Sequence, residues 1–291
     1  MSGVILALVE HPESALAALA GARTLAGLMG RARINVLAVR VPPETTIMPT
    51  EEVLTRHQAT EIRAREQARV MGLRAAFEAW APAARAPGIS IEWTDIEGLA
   101  DTLVGEWGRR SDFIVLSRPA RRDRAPDWLE IRAALFDTDR PVLVVPSGPK
   151  STFAVPPAPF GDRVAIAWRD DRRTVRSVLA ALRLLSQARQ VHVLTGVREE
   201  APEPALPEIL AEHGIPATLH VLPVRPPIGP DTRAKTGAGA FGETLLAEAH
   251  ALGADLLVMG AYTHSPWREL LLGGVTQYML ANADLPVLMR H

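Results

Sequence analysis

Short apolar runs alternate with longer amphipathic stretches along the whole chain. In the first half, the runs predict strands at Val4–Val9, Ile34–Val41, Ile89–Trp93, Phe113–Leu116 and Pro141–Val145. The stretches between them predict helices at Pro12–Met29, Glu51–Trp80, Ala100–Arg109 and Trp128–Phe136. Strands that alternate with helices are typical of a parallel sheet covered by helices on both faces.

The same alternation begins again after residue 161. Strands are predicted at Val164–Trp168, Val191–Leu194, Thr218–Leu222, Leu256–Met259 and Pro286–Met289, and helices at Thr174–Leu185, Glu208–His213, Glu243–Ala251 and Val275–Ala283. The segment Ser147–Phe160 has four prolines and no periodicity, which is typical of a connecting segment. We therefore expect an internal duplication, with domains at 1–147 and 162–291 and a linker at 148–161.

The two halves share their strands but differ where a ligand would bind. Asp112 and Asp255 each precede a matching apolar run in the fourth strand of their half. In the second half this strand ends at Gly260, whereas the first half has Ser117 there and no glycine in residues 119–137. We expect both halves to form the sheet and only the second to form a glycine-dependent site.

Glycines stand at the two places where that site would approach a ligand. Gly260 ends the fourth strand of the second half, and without a Cβ it lets a ligand come close to the backbone. Gly273 and Gly274 precede the last predicted helix, whose first N–H groups and positive dipole end favour an anion. This arrangement predicts a phosphate-binding loop.

The spacing of this loop resembles that of universal stress proteins of the adenine-nucleotide-binding type. In that family glycine, two residues, glycine, nine residues, glycine and a hydroxyl residue follow one another. Here Gly260, Thr263, Gly273 and Gly274 stand at those positions, so that threonine replaces the second glycine and glycine replaces the hydroxyl residue. Val275-Thr276 follows as in the family. The resemblance implies two flavodoxin-like (adenine nucleotide alpha hydrolase-like) α/β domains, each with a five-stranded parallel sheet in the order 3-2-1-4-5.

The resemblance also implies a function, which is regulatory binding of ATP or AMP in the second domain without catalysis. Mg²⁺ would accompany a triphosphate, and no permanent cofactor is expected. The residues expected to contact the nucleotide are Trp168, Asp170, Leu194, Thr195, Met259, Gly260, Tyr262, Thr263, Gly273, Gly274, Val275 and Thr276. Because a β-branched residue resists positive φ, Thr263 predicts weaker binding or a preference for AMP. His264 and Arg268 lie in the same loop and are further candidates for a phosphate contact.

Asp170 has two interpretations that the sequence leaves open. Its carboxylate is placed to accept hydrogen bonds from ribose hydroxyls, as the resemblance implies. An aspartate directly before a helix is equally typical of an N-cap, and Asp171 offers a second candidate for that cap.

Two further patterns favour structural interpretations. Residues 237–242 satisfy G-x-G-x-x-G, but a stretch rich in proline precedes them instead of a strand, so we expect a flexible loop before a helix and no dinucleotide site. Arg118, Arg121, Arg122 and Arg124 form a basic run without interleaved aromatic residues, which favours a solvated loop over a nucleic-acid surface.

Composition and charge exclude several classes of function. The formal net charge of −1 offers no general attraction to nucleic acid or acidic membranes, and the absence of cysteine excludes thiolate chemistry. The first apolar run lacks the length and basic flank of a signal or membrane segment, so we expect a cytoplasmic protein. No histidine pair has the spacing of a metal site, and no known catalytic motif is present, which leaves slow ATP hydrolysis without support.

Two expectations concern partners. The terminal strands of the two domains are apolar and, as in the family, are expected to pair with each other within the chain, which also allows a homodimer. The alternative to nucleotide binding is a scaffolding stress protein that binds other proteins and no nucleotide, and the altered residues Thr263 and Gly274 favour that alternative.

Overall fold

The computed structural model of the chain describes residues 3–43, 55–118, 129–147, 159–197, 204–224, 237–262 and 273–291. The chain divides into two compact units, Met1–Pro157 and Ala158–His291. Within the described ranges, no helix combines the length and the apolar character that a membrane span requires.

The first unit is a parallel sheet with strand order β3-β2-β1-β4-β5. Its strands are β1 (Gly3–Leu8), β2 (Ala32–Arg40), β3 (Ile89–Glu97), β4 (Phe113–Ser117) and β5 (Val142–Val145). Its helices are α1 (Pro12–Met29), α2 (Arg56–Ala84), α3 (Ala100–Arg109) and α4 (Leu129–Asp137). Thr55 starts α2 with a capping box, in which its hydroxyl accepts from Gln58 N and the Gln58 side chain accepts from Thr55 N.

The second unit repeats this order as β8-β7-β6-β9-β10, again with parallel strands. Its strands are β6 (Arg163–Trp168), β7 (Gln190–Val197), β8 (Thr218–Pro223), β9 (Leu256–Gly260) and β10 (Val287–Arg290). Its helices are α5 (Arg172–Leu185), α6 (Glu208–Glu212), α7 (Gly237–Ala251) and α8 (Gly274–Asn282). The predicted fold class, with sheet order 3-2-1-4-5 in each half, is confirmed.

One aspartate in each unit anchors the first strand to the fourth. The Asp112 carboxylate, just before β4, accepts a hydrogen bond from Val4 N at 2.7 Å. Asp255, just before β9, accepts from the N–H groups of Gly161, Asp162 and Arg163 at 2.7, 3.1 and 3.1 Å. Asp112 and Asp255 therefore have the same structural role in their units. Gly161 is one of the residues bonded to Asp255, so it is part of the second unit.

The glycine-rich segment at 237–242 differs from its prediction. It was expected to be a flexible loop, but it forms the first turns of α7. Gly242 lies against α8, since a Cβ built on it would approach the Cβ, Cγ and Cδ1 atoms of Tyr278 to 2.9 Å. The glycine allows the two helices to pack closely, which accounts for its presence without any dinucleotide.

Candidate functional site

A cavity of about 220 Å³ lies at the carboxyl ends of β6 and β9. In a parallel α/β sheet this edge, where the strand order reverses, is the usual place for a ligand. The residues that line the cavity are Ala167, Trp168, Arg169, Phe241, Leu245, Met259, Gly260, Tyr262, Gly273, Gly274, Val275 and Thr276. They come from β6, β9, α7, the start of α8 and the residues next to them, so four elements of one unit form the site.

The start of α8 provides the polar side of the cavity. Gly273 is its N-cap, and Gly273 N donates to Tyr262 O at 2.6 Å. The buried hydroxyl of Thr276 accepts from Tyr262 N at 3.2 Å and thereby ties the end of β9 to the first turn of α8. Because a helix leaves its first N–H groups without intrahelical acceptors, this turn can bind an anion that enters the cavity.

Apolar side chains also line the cavity. Met259 is 2% exposed at the end of β9, and Leu245 is 2% exposed on α7. Phe241 of α7 packs over Gly196 near the end of β7, where a Cβ would meet the phenyl ring at 2.6 Å. Together with Trp168, these groups provide a surface for a flat, largely apolar ring such as a nucleobase.

Tyr262 connects this cavity to the N-terminus of α5. Its ring lies over Gly260, since a Cβ built on that glycine would be 2.9 Å from the ring. Its hydroxyl is 2.7 Å from the Thr174 hydroxyl and donates to the Asp171 carboxylate, whose oxygens lie at 2.8 and 2.7 Å. The space above Gly260, which was expected to admit a ligand, is therefore used by the protein's own tyrosine.

Charged groups surround this tyrosine. The guanidinium groups of Arg169 and Arg173 lie 5.3 and 5.5 Å from the centre of its ring. Burial is the main cause that raises the pKa of the Tyr262 phenol to about 12, and the Asp171 carboxylate adds to that shift while Thr174 opposes it. Arg169 also lines the cavity with a largely exposed side chain, so it places positive charge at the edge of the site.

The structure brings most of the predicted site residues together. Eight of them line the cavity, namely Trp168, Met259, Gly260, Tyr262, Gly273, Gly274, Val275 and Thr276. Leu194 and Thr195 are buried within β7 and are not among the lining residues, and Asp170 is exposed outside the cavity. Thr263, His264 and Arg268 lie outside the described residues, as do Arg121, Arg122 and Arg124 of the basic run.

The N-cap of α5 is Asp171. Its carboxylate accepts hydrogen bonds from Arg173 N and Thr174 N, both at 3.0 Å. Of the two residues that were candidates for this cap, Asp170 therefore does not take that role, and its exposed carboxylate keeps only the predicted ribose contact as an interpretation.

Four lining residues were not predicted. Phe241 lies in the first turns of α7, which were taken for a loop, and Leu245 lies in the predicted helix Glu243–Ala251 but was not recognised as facing a site. Ala167 and Arg169 flank Trp168 at the end of β6, and only their position beside a predicted residue pointed to them. Among the residues that the structure describes, no three His, Asp or Glu side chains lie close enough to hold a metal ion.

The comparisons with known proteins agree with this architecture. The sequence model described as the universal stress protein family matches residues 154–291. No curated protein sequence matches the chain. The solved structure of a universal stress protein from Archaeoglobus fulgidus is similar at a TM-score of 0.69 and 16% identity, and covers 100% of this chain and 96% of that one.

Two structures from Pseudomonas aeruginosa are also similar. One, named as a universal stress protein, has a TM-score of 0.57 at 17% identity over 99% of this chain and 93% of its own. The other, of unknown function, has a TM-score of 0.56 at 16% identity over 99% of this chain and 92% of its own. At these identities the likeness concerns the fold. The second unit therefore matches the universal stress protein family, and the first unit has the same sheet order, as a tandem arrangement would have.

Proposed function

We propose that the second unit binds an adenine nucleotide at the cavity and that binding serves regulation, without turnover. The observation that carries this proposal is the pairing of an apolar ring-sized cavity with the N-terminal turn of α8. Met259, Trp168 and Phe241 would contact the base. The N–H groups of the first turn of α8, together with Arg169, would contact a phosphate.

The size of the cavity favours a small nucleotide. At about 220 Å³ it lies below the range of roughly 300–1,000 Å³ that is usual for pockets of drug-sized ligands. Mg²⁺ would enter with a polyphosphate, whose oxygens it would bind. Asp170 directly follows Arg169, which lines the cavity, and we propose that the Asp170 carboxylate reaches the ribose. We assign Thr195 and Leu194 a backbone role at the same edge of the sheet.

A thermal unfolding assay tests the proposal. A ligand that binds only the native state raises Tm in a concentration-dependent way, and the expected result is a rise with AMP. GMP is the matched control, since it carries the same phosphate on a different base. Equal responses to AMP and GMP would contradict adenine binding.

The alternative is a scaffolding stress protein that binds no nucleotide. Thr263 and Gly274, which depart from the family's spacing, favour that alternative. It predicts no change in Tm with AMP, ADP or ATP and no nucleotide released when the purified chain is denatured. A nucleotide in that released fraction, identified by chromatography, would rule it out.

We also propose that the terminal strands β5 and β10 mediate pairing, within the chain or between two chains. Each is apolar and stands at one end of its own unit's strand order, which is the position where a sheet can accept another strand. A protease site inserted within residues 148–158 tests this. We expect the two fragments to elute together in size-exclusion chromatography after cleavage, and separate elution would contradict the pairing.

A further inference from the structure

Tyr262 differs from the other lining residues because its side chain spans the site. It begins at the end of β9, crosses over Gly260 and ends in the first turn of α5. The strands β6 and β9 are neighbours in the sheet, so the ring covers the sheet edge between them. A ligand that enters the cavity therefore meets this ring on the side that faces α5.

The hydroxyl of Tyr262 is held by groups that cannot easily move. Thr174 is 1% exposed, and Asp171 is the N-cap of α5 and is already bonded to two backbone N–H groups. The guanidinium groups of Arg169 and Arg173 lie near the ring, and their positive charge is attracted to its π-face. Swinging the ring away would break its bond to a carboxylate and leave Thr174 without its hydroxyl partner.

Asp171 also changes the electrostatics of this side of the site. A helix N-terminus would normally attract a phosphate, but the first turn of α5 already holds the Asp171 carboxylate. A phosphate chain that extended toward α5 would meet this carboxylate, which is already bonded to the helix N–H groups and paired with Arg169 at 3.3 Å. Of the two helix N-termini that Tyr262 contacts, the first turn of α8 therefore remains for an anion.

Resting on the proposed adenine site, we propose that Tyr262 determines ligand length. Held by Asp171 and Thr174, its side chain closes the cavity toward α5 and restricts the site to adenosine and AMP, against ADP and ATP. This restriction is separate from any effect of Thr263, because it arises from the tyrosine side chain and its anchors on α5.

Binding of AMP and ATP to the parent, Tyr262→Ala and Tyr262→Phe tests the proposal, with Tyr278→Phe as the matched control. Tyr278 is the second of two tyrosines in the chain and does not line the cavity. We expect the parent to prefer AMP by about tenfold or more, and Tyr262→Ala to reduce that preference to about threefold or less. Tyr262→Phe, which keeps the ring and loses the anchor, should fall between them, and Tyr278→Phe should match the parent.

The outcomes separate this proposal from the function on which it rests. Failure of both the parent and Tyr262→Ala to bind adenosine, AMP or ATP would overturn the proposed function and this inference with it. Binding with an AMP preference that Tyr262→Ala leaves unchanged would overturn this inference alone. If Thr263→Gly removes the preference and Tyr262→Ala does not, the length limit belongs to Thr263. If Tyr262→Phe prefers AMP over ATP as strongly as the parent does, the hydrogen bonds to Asp171 and Thr174 do not contribute to the length limit.

Discussion

Tyr262 shows how a single residue organises the end of a strand. Its backbone bonds to Gly273 and Thr276 at the start of α8, and its side chain bonds to Asp171 and Thr174 at the start of α5. Two helix N-termini are thus fixed to β9 through one residue. The sequence placed Tyr262 at the site through the family's spacing, but it contained no signal for the side-chain partners, which lie far away along the chain.

The phenol of Tyr262 provides a titration test at this scale. Its pKa of about 12 means that it should ionise at a higher pH than an ordinary tyrosine, whose pKa is about 10. Because the folded state holds this proton more tightly, its contribution to stability is complete below about pH 10 and is lost as the pH rises toward about 12. The absorbance of tyrosinate should show the late phase in the parent and in Tyr278→Phe. A late phase that persists in Tyr262→Phe would contradict the assignment.

At the scale of elements, α7 and α8 form the cavity by packing closely on each other. Phe241 and Leu245 of α7 face the cavity, and Gly242 of α7 contacts Tyr278 of α8. Most strands could be predicted because fully buried strands in parallel sheets are short apolar runs, as in β4 and β9. The first turns of α7 could not, because glycine has low intrinsic helix propensity and here the contact with α8 outweighs it.

Gly242→Val tests this packing. A Cβ at Gly242 would lie 2.9 Å from Tyr278, so the helices must separate, and we expect a loss of about 1–3 kcal/mol in the free energy of unfolding. The affinity for AMP should also fall, since both helices line the cavity. Gly27→Val, at an exposed position of α1 whose nearest neighbour is the end of the Arg23 side chain, is the matched control. Equal losses in the two variants, measured by urea unfolding, would show that the close approach does not matter.

At the scale of the whole molecule, the two units use related positions differently. Ser14 and Thr174 are both the third residue of the helix that follows the first strand of their unit. Ser117, at the end of β4, bonds to Ser14 at 2.9 Å with both hydroxyls buried, and Tyr262 bonds to Thr174. The loss of glycine at Ser117 was visible in the sequence, but the hydroxyl pair that replaces it was not, because its partners are distant in the chain.

Arg69 of α2 occupies the same edge of the first unit. Its guanidinium donates to Glu10 O at 2.6 Å, to Val39 O and to the Glu66 carboxylate at 2.8 Å. Glu66 also accepts from Val41 N at 3.2 Å. The backbone groups that follow β1 and end β2 are therefore bonded to a side chain of the protein, which leaves less of this edge to a ligand.

Arg69→Ala should destabilise the first unit. It removes donors from two carbonyls and a partly buried carboxylate, so we expect a loss of about 2 kcal/mol in the free energy of unfolding. Burial opposes the ionised form of Glu66, but Arg69 and Val41 N lower its pKa below the ordinary value. Stability from Glu66 is therefore present above its unfolded pKa and lost as the pH falls through the folded value, and the variant should lose that acid dependence. Arg65→Ala, exposed on the same helix, is the control, and an equal effect of both changes would refute this account.

Calorimetric titration of AMP into the intact chain tests the central claim most directly. Nucleotide binding confined to the second unit predicts a single AMP per chain. Gly273→Val should abolish this binding, because a Cβ at position 273 would lie 3.1 Å from the Cβ of Tyr262 and the larger side chain would crowd the start of α8. Gly27→Val, which changes a residue of the first unit, should bind as the parent does. Two equivalent AMP molecules per chain, or binding that survives Gly273→Val unchanged, would contradict the account.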